Sequence, residues 1–297
     1  MARRSAPASK KSTNVRLSVV RALFRGLAPI APAAAAEFAV ALFRRPPGRK
    51  DSVSERAALA AGERIDLALH GRCLAAWRWG EGPPVLLVHG WGSRGARLAP
   101  FIPPLTGAGL SVVAFDAPGH GASAGRLSSL PQFIAAIEAV GDRFGPVEGV
   151  VAHSMGGAAT TLAMGRGLAI GRAVFLAPTA DPAGYSERFA DVVGLGPELV
   201  ARMKAKIEQR FGARWEEFDV IAAARRMTSP LLVVHDRGDR DVAWADGAAI
   251  SAAWPGAELV STEGLGHRRI VEDPGVVARG VAFLVRPVEA TRSRGAS

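Results

Sequence analysis

Residues 149–157 read Gly-Val-Val-Ala-His-Ser-Met-Gly-Gly, and this pattern is typical of a buried strand that turns sharply into a helix. Upstream, residues 147–152 are apolar apart from Glu148, as expected of a strand inside a sheet. Downstream, the small residues 156–159 allow the helix backbone to start close to the strand. The stretch therefore predicts a tight corner with the Ser154 hydroxyl at its tip.

Short apolar runs alternate with helix-like segments on both sides of this corner. Predicted strands cover residues 64–69 and 73–79, which form an antiparallel hairpin, and then 85–88, 111–115, 147–152, 173–176, 230–235 and 258–261. Predicted helices cover residues 98–108, 131–144, 155–165, 244–254 and 274–285. Strands and helices that alternate at this spacing predict a single α/β domain with a mostly parallel sheet flanked by helices.

The segment 178–228, called the cap below, lacks an apolar strand. Its apolar residues recur instead at roughly helical spacing: Tyr185, Phe189, Val192, Val193, Leu195, Leu199, Met203, Ile207, Phe211, Trp215 and Phe218. We expect a helical insertion that covers the carboxyl edge of the sheet. The composition suits an apolar acyl or alkyl group, although we expect most of these side chains to pack the cap onto the body.

Residues 152–157 resemble the nucleophile elbow of the α/β-hydrolase superfamily, of the serine esterase and lipase type, with Ala152 at the place of the first glycine in G-x-S-x-G. Three more stretches resemble family motifs. Residues 116–123 match the D-x-P-G-x-G-x-S turn, residues 235–242 the acid loop H-G-x-x-D-x-x-V, and residues 264–267 the G-x-G-H loop. The resemblance covers residues 64–286 and implies an α/β-hydrolase fold with a sheet of the eight-stranded type and a helical cap.

The resemblance also implies a catalytic triad in the chain order Ser, Asp, His. It makes Ser154 the nucleophile, Asp239 the acid and His267 the base. Asp236 and Asp241 are the neighbours that could be confused with the acid. The other histidines, at positions 70, 89, 120, 153 and 235, are interpreted as surface or structural residues.

Two backbone amides are implied as the oxyanion hole, those of Met155 and Trp91, the latter in a stretch (residues 89–92) that resembles the family's H-G-x loop. The Trp91 side chain either helps to wall an acyl pocket or is a buried structural residue. The implied activity is hydrolysis of a carboxylic ester or thioester through an acyl-enzyme, with a small-molecule acyl substrate and neither cofactor nor metal. Two alternatives stay open: acyl transfer to an acceptor other than water, and a non-catalytic protein that binds an apolar ligand or a partner.

The net charge of +10 belongs to residues 1–50, called the arm below. The arm holds eleven of the 37 Lys and Arg residues and one of the 27 Asp and Glu residues, so the remaining 247 residues carry 26 of each. The body thus has no overall attraction to phosphate, and we expect no nucleic-acid partner. We expect disorder to about residue 14, then one or two helices over residues 15–43, broken near Pro29 and Pro32.

The arm either packs on the body or rests on an anionic membrane surface through Arg44, Arg45, Arg49 and Lys50. Its charge-free stretch, residues 26–36, is shorter than the roughly 18 residues that a membrane span needs. Arg21 and Arg25 interrupt the apolar core of any secretory signal. The single cysteine, Cys73, lies in an apolar run and is interpreted as a core residue in a reducing compartment. We therefore expect a cytoplasmic protein, or one at the membrane periphery, and leave its oligomeric state open.

Overall fold

The computed structural model describes residues 9–48 and 50–286. Its strands are β1 (Glu63–Leu69), β2 (Arg72–Trp79), β3 (Pro84–Val88), β4 (Ser111–Phe115), β5 (Val147–His153), β6 (Ile170–Leu176), β7 (Leu231–Asp236) and β8 (Glu258–Thr262). Its α-helices are α1 (Ser9–Ile30), α2 (Pro32–Phe43), α3 (Val53–Ala60), α4 (Ile102–Gly107), α5 (Leu130–Phe144), α6 (Met155–Gly165), α7 (Tyr185–Val193), α8 (Pro197–Phe211), α9 (Val220–Ala224), α10 (Trp244–Ala253), α11 (Gly266–Arg269) and α12 (Pro274–Leu284). Two 3₁₀ helices cover Gly95–Phe101 and Trp215–Phe218.

The eight strands form one sheet in the order β1-β2-β4-β3-β5-β6-β7-β8. β2 runs antiparallel to both of its neighbours, and all other pairings are parallel. The carboxyl ends of the six strands from β3 to β8 therefore lie at one edge of the sheet. Ligands of open α/β sheets bind at such an edge.

Apolar layers cover both faces of the sheet. One layer includes Phe133 of α5, Leu162 of α6 and Trp254 beside α10, all buried. The layer on the other face includes Phe101, at the end of the first 3₁₀ helix, and Phe283 of α12. Strands β3 and β4, which are apolar apart from Ser111, are buried on both faces because one apolar layer covers each face of the sheet.

The predicted strands are confirmed, including the antiparallel hairpin of β1 and β2. The interpretation of Cys73 as a core residue is wrong, because its side chain is exposed. Within the sheet, Cys73 pairs with Ala68 of the edge strand β1, and the pairing of β2 with β4 starts later, at Ala76. The first residues of β2 therefore extend beyond the apolar layers. Helix α3, with a Ser52–Glu55 capping box, was not predicted.

The arm packs against the cap rather than against the sheet. Helix α2 contacts α8, and the buried residues Phe24, Ala36 and Val40 of the arm form one apolar cluster with Leu199 and Met203 of α8. The later part of the cap returns to the body, because Phe218 and the apolar residues of α9 belong to the core layer of α5 and α6. Helices α7 and α8 therefore pack against the arm, and the end of the arm also contacts the body directly, because the Ser128 amide donates a hydrogen bond of 2.7 Å to the Arg44 carbonyl.

Two expectations about the arm differ from the structure. Helix α1 begins at Ser9, so residues 9–14, predicted to be disordered, are helical; residues 1–8 lie outside the described residues. Arg44, predicted as a membrane contact, is buried and donates hydrogen bonds to the Ser128 carbonyl and the Gln132 side chain. Arg49 lies outside the described residues. Among the described helices, none is both long and apolar enough to cross a membrane.

Candidate active site

Ser154 occupies the corner between β5 and α6 in a backbone conformation that residues other than glycine rarely adopt, with φ 57° and ψ −125°. Such backbone strain costs on the order of 1–3 kcal/mol and persists only where the surroundings enforce it. Glycine at position 156 makes the corner possible, because a Cβ there would lie 2.7 Å from the carbonyl oxygens of Val88 and His89. Ala152 is fully buried in the core layer, so the methyl group at this departure from the family motif is accommodated.

The structure brings Ser154, His267 and Asp239 together from three loops at the carboxyl edge of the sheet. His267 Nε2 lies 3.0 Å from Ser154 Oγ, and His267 Nδ1 lies 2.7 Å from Asp239 Oδ2. Since a carboxylate can only accept, Nδ1–H donates to Asp239, and Nε2 is left as the acceptor for the serine hydroxyl. This arrangement orients an imidazole to remove the proton of Ser154.

The Asp239 side chain is inaccessible to solvent and is held by several donors. Its Oδ1 accepts the amides of Asp241 at 2.8 Å and Val242 at 3.0 Å, while His235 Nε2 lies 3.4 Å from Oδ2. Burial alone would raise the pKa of Asp239, but the hydrogen bonds from His235 and His267 and from the Val242 amide outweigh it and hold the pKa well below its ordinary value. Asp239 is therefore an anion at neutral pH.

The two neighbouring aspartates occupy different positions. Asp236 is buried and accepts hydrogen bonds from the amides of Gly238 and Leu265 and from the Thr262 hydroxyl, so it joins the Asp239 loop to the His267 loop. Asp241 lies nearer the surface, 3.4 Å from Arg268. Neither forms a hydrogen bond with His267 among the described residues, so the geometry separates Asp239 from both.

His153 lies closer to the site than its interpretation as a structural residue indicated. Its Nε2–H donates to the His267 carbonyl at 2.9 Å, and the two imidazole rings lie 4.7 Å apart. Burial lowers the pKa of His153 to about 3, with a further contribution from His267, so the ring is neutral. A neutral ring here avoids a second cation beside His267 when that residue takes up a proton. The position before the nucleophile was the only sequence signal for this role.

Two buried histidines fix the loop that carries Trp91. His120 Nε2 accepts the Gly92 amide at 3.0 Å, and His89 Nε2 accepts the Ala117 amide at 2.9 Å. Burial lowers the pKa of His89 to about 4 and that of His120 to about 3. Both rings are therefore neutral and keep one nitrogen free to accept these bonds.

The Trp91 and Met155 backbones flank the corner at Ser154. Within the described part of the chain, neither amide N–H donates a hydrogen bond to the protein. A Cβ at position 90 would lie 2.8 Å from the Ser154 Cβ, so glycine allows the Trp91 loop to approach the serine. The Trp91 ring packs edge-on against His120, at 5.3 Å between ring centroids.

A cavity of about 360 Å³ lies between the body and the cap. Trp91 and Met155 form part of its wall, so it reaches the position of the two amides, although the Ser154 and His267 side chains do not line it. Seven of the eleven apolar cap residues named above line the cavity, namely Tyr185, Phe189, Val192, Ile207, Phe211, Trp215 and Phe218. The cap residues thus contribute more to the cavity than the expected packing role implies.

The arm also contributes to this cavity, which the sequence did not indicate. Phe43 and Arg44, at the end of α2, line its wall, and Arg44 stacks on the Phe211 ring at 4.8 Å. Contacts between segments this distant in sequence leave no local pattern, so no motif could have predicted them.

Among the described residues, no group of three or more His, Cys, Asp or Glu side chains is arranged to hold a metal ion.

Comparisons with known proteins agree with this architecture. The model of the alpha/beta hydrolase family matches residues 85–280, and the chain belongs to this family. No curated protein matches the chain.

Solved structures of similar fold include a hydrolase from Pseudomonas aeruginosa PA01, with 22% identity and a TM-score of 0.61 over 76% of this chain and 100% of that one. An esterase from Pyrococcus furiosus has 20% identity and a TM-score of 0.61 over 80% of this chain and 98% of that one. A thermophilic esterase from Thermogutta terrifontis has 17% identity and a TM-score of 0.54 over 74% of this chain and 96% of that one. At these identities the likeness concerns the fold.

Proposed function

We propose that this protein is a serine hydrolase that cleaves a carboxylic ester or thioester through an acyl-enzyme. The observation that carries the proposal is the line of hydrogen bonds from Ser154 Oγ through His267 to a buried, anionic Asp239, at 3.0 Å and 2.7 Å. A protein that only binds a ligand gains nothing from a strained serine beside an oriented imidazole. The esterases among the structures of similar fold are consistent with this chemistry.

In the acylation step, Ser154 Oγ attacks the carbonyl carbon as its proton moves to His267 Nε2. The carbonyl π electrons move to oxygen and create an oxyanion. The Trp91 and Met155 amides are the donors proposed for it, and one such donor is typically worth about 3–4 kcal/mol in the transition state. When the tetrahedral intermediate collapses, the bond to the leaving group breaks, and His267 returns its proton to the departing alcohol or thiol.

In the deacylation step, water takes the place of the leaving group. His267 accepts a proton from the water as its oxygen attacks the acyl carbon, and a second oxyanion forms in the same position. Collapse of this intermediate breaks the ester bond to Ser154, which regains its proton from His267, and the carboxylic acid leaves. Asp239 remains ionised throughout and stabilises the imidazolium that forms in each step.

The cavity favours a substrate with an apolar acyl or alkyl group. Aromatic side chains from the body, the cap and the arm meet around it, including Trp91, Tyr185 and Phe43. Burial of each apolar CH₂ group of a substrate is worth about 0.8 kcal/mol. The Trp91 side chain is thus proposed as part of the acyl pocket as well as a carrier of the oxyanion amide.

The test is hydrolysis of chromogenic esters and of a thioester with acyl chains of increasing length. We expect kcat/KM to rise with chain length until the cavity is full, and Ser154→Ala to lower kcat by roughly a million-fold, as in other serine hydrolases. A matched His70→Ala variant, which alters an exposed histidine, should retain activity. Ester turnover that persists in the Ser154→Ala variant would contradict the mechanism. Transfer of the acyl group to an added alcohol without release of acid would instead indicate an acyltransferase.

A further inference from the structure

The outer face of α1 is apolar and uncovered. Four of its side chains are highly exposed: Val15 at 64%, Val19 at 54%, Leu23 at 51% and Ile30 at 84%. Their spacings of four, four and seven residues place them on one side of the helix. Four large apolar side chains on a single surface stripe are unusual for a folded protein and indicate an interaction surface.

This stripe is not the face by which the arm packs on the cap. The opposite face of α1 provides that contact, with Phe24 buried and Leu17, Val20 and Leu27 half-buried in the cluster that includes Met203 of α8. One apolar face is enough to dock a helix on its own protein. Within the described chain, the outer stripe has no such cover, so an apolar stripe that extends along four turns of the helix points to another partner.

The charge of the arm identifies that partner. The arm contains eleven Lys and Arg residues and one acidic residue, Glu37. Glu37 forms ion pairs with two residues of α8, Lys206 at 2.7 Å and Arg210 at 3.2 Å. Arg25 is exposed on α1 and has no ion-pair partner among the described residues. A helix with an apolar stripe and a strong excess of basic residues lies in the interface of an anionic membrane.

We propose that α1 docks this protein on a lipid bilayer that contains acidic phospholipids, with Val15, Val19, Leu23 and Ile30 inserted at the level of the headgroups. A second copy of the chain is a poorer partner for the stripe, because two arms of the same high positive charge repel each other. This surface differs from the sequence expectation, which relied on Arg44, Arg45, Arg49 and Lys50.

Helix α1 contacts the cap beside the substrate cavity through the side opposite the stripe. Val192 lines the cavity, and its carbonyl oxygen accepts a hydrogen bond of 2.9 Å from Arg21 Nε of α1. A bilayer seated on the stripe would therefore have α1 between it and the cap helix α7. The docking itself does not depend on the proposed hydrolase activity, since it involves none of the three catalytic residues.

The test is co-sedimentation of the full chain with vesicles of phosphatidylcholine alone and of phosphatidylcholine mixed with phosphatidylglycerol. We expect binding to the anionic vesicles that weakens in high salt. The double variant Val19→Ser/Leu23→Ser should lower the partition coefficient by roughly tenfold or more, because less apolar area enters the membrane. The matched control is Val53→Ser/Val285→Ser, which alters two exposed valines, at 75% and 44%, away from the arm.

Circular dichroism and thermal unfolding of both double variants show whether each remains folded. Binding lost in the arm variant and kept in the control supports the proposal. Equal binding by the two variants, or no binding of the wild-type chain to anionic vesicles, overturns it. Light scattering that shows a dimer lost only in the arm variant, without vesicle binding, would assign the stripe to a second copy of the chain and overturn the membrane proposal as well.

Discussion

Asp239 differs from the two neighbouring aspartates, Asp236 and Asp241, in the groups that its side chain contacts. Only Asp239, of the three aspartates at positions 236, 239 and 241, contacts His267 in the described structure. We expect Asp239→Asn to lower kcat by about 10³- to 10⁴-fold, because the amide no longer selects the tautomer with a proton on Nδ1. Ester hydrolysis under saturating substrate measures the effect.

The matched control is Glu263→Gln, which removes an exposed carboxylate in the loop that leads to His267. Its kcat should stay within a few-fold of the wild type. An Asp239→Asn variant that keeps full activity while remaining folded would show that another group orients His267.

A site residue could be predicted from the sequence only where a short motif around it identifies its role. Ser154, Asp239 and His267 stand in short motifs, and the loops that carry them are placed by the strands just before them. Phe43 reaches the site only through tertiary packing, so its neighbours in sequence gave no indication. His153 precedes Ser154 in the sequence, but its hydrogen bond to the His267 carbonyl joins two distant loops and left no local pattern. Asp236 lay in the same motif as Asp239, and only the hydrogen bonds to Thr262 and Leu265 distinguish its position.

At the level of elements, helix α2 connects the arm to the cavity. Phe43 at its end lines the cavity, whereas Phe38 is partly exposed on the same helix and does not line it. We expect Phe43→Ala to enlarge the cavity and to move the preferred acyl chain to longer esters, because a longer chain can occupy the space of the missing ring. The chain-length profile of kcat/KM is the measurement.

Phe38→Ala is the matched change, and its profile should coincide with that of the wild type. Identical profiles for both variants would mean that the acyl chain does not reach the wall formed by the arm. A uniform loss of activity for every ester in the Phe43→Ala variant would instead indicate a cap that no longer docks.

The strands were more predictable than the helices for a physical reason. A strand buried on both faces, such as β4, is a short run of apolar residues bounded by turn residues, and its limits can be read directly. The eight-residue helix α3 depends on the Ser52–Glu55 capping box and on packing against its surroundings, so its periodicity is weak. The separation of the cap into α7 and α8 beneath the arm, and α9 within the body, depends on tertiary contacts alone.

For the whole molecule, buried neutral histidines link folding to pH. The pKa values of His89, His120 and His153 are lowered to about 4, 3 and 3 by burial. The unfolded chain therefore binds more protons between about pH 4 and 6.5, and the free energy of unfolding falls as the pH falls through this range. Each histidine contributes about 1.4 kcal/mol per pH unit, and Asp116 and Glu138, whose pKa values are raised by burial, act in the opposite direction.

Urea unfolding at pH 7, 6 and 5 measures this dependence, and we expect a loss of at least about 2 kcal/mol between pH 7 and 5. A His120→Gln variant, whose side-chain oxygen lies near the position of Nε2 and can still accept the Gly92 amide, should have a shallower dependence. A free energy of unfolding that is constant over this range would contradict the burial of the three rings in solution.

The central claim is that Ser154 is activated by His267, and labelling of the purified full chain with a fluorophosphonate, followed by peptide mass spectrometry, tests it most directly. Such a reagent reacts with a serine whose proton is removed by a neighbouring base. We predict a single adduct on Ser154 that is absent in Ser154→Ala, strongly reduced in His267→Ala and unchanged in His70→Ala. No adduct in the wild-type chain, or an adduct on another residue, would contradict the hydrolase mechanism and favour a protein that binds its ligand without reaction.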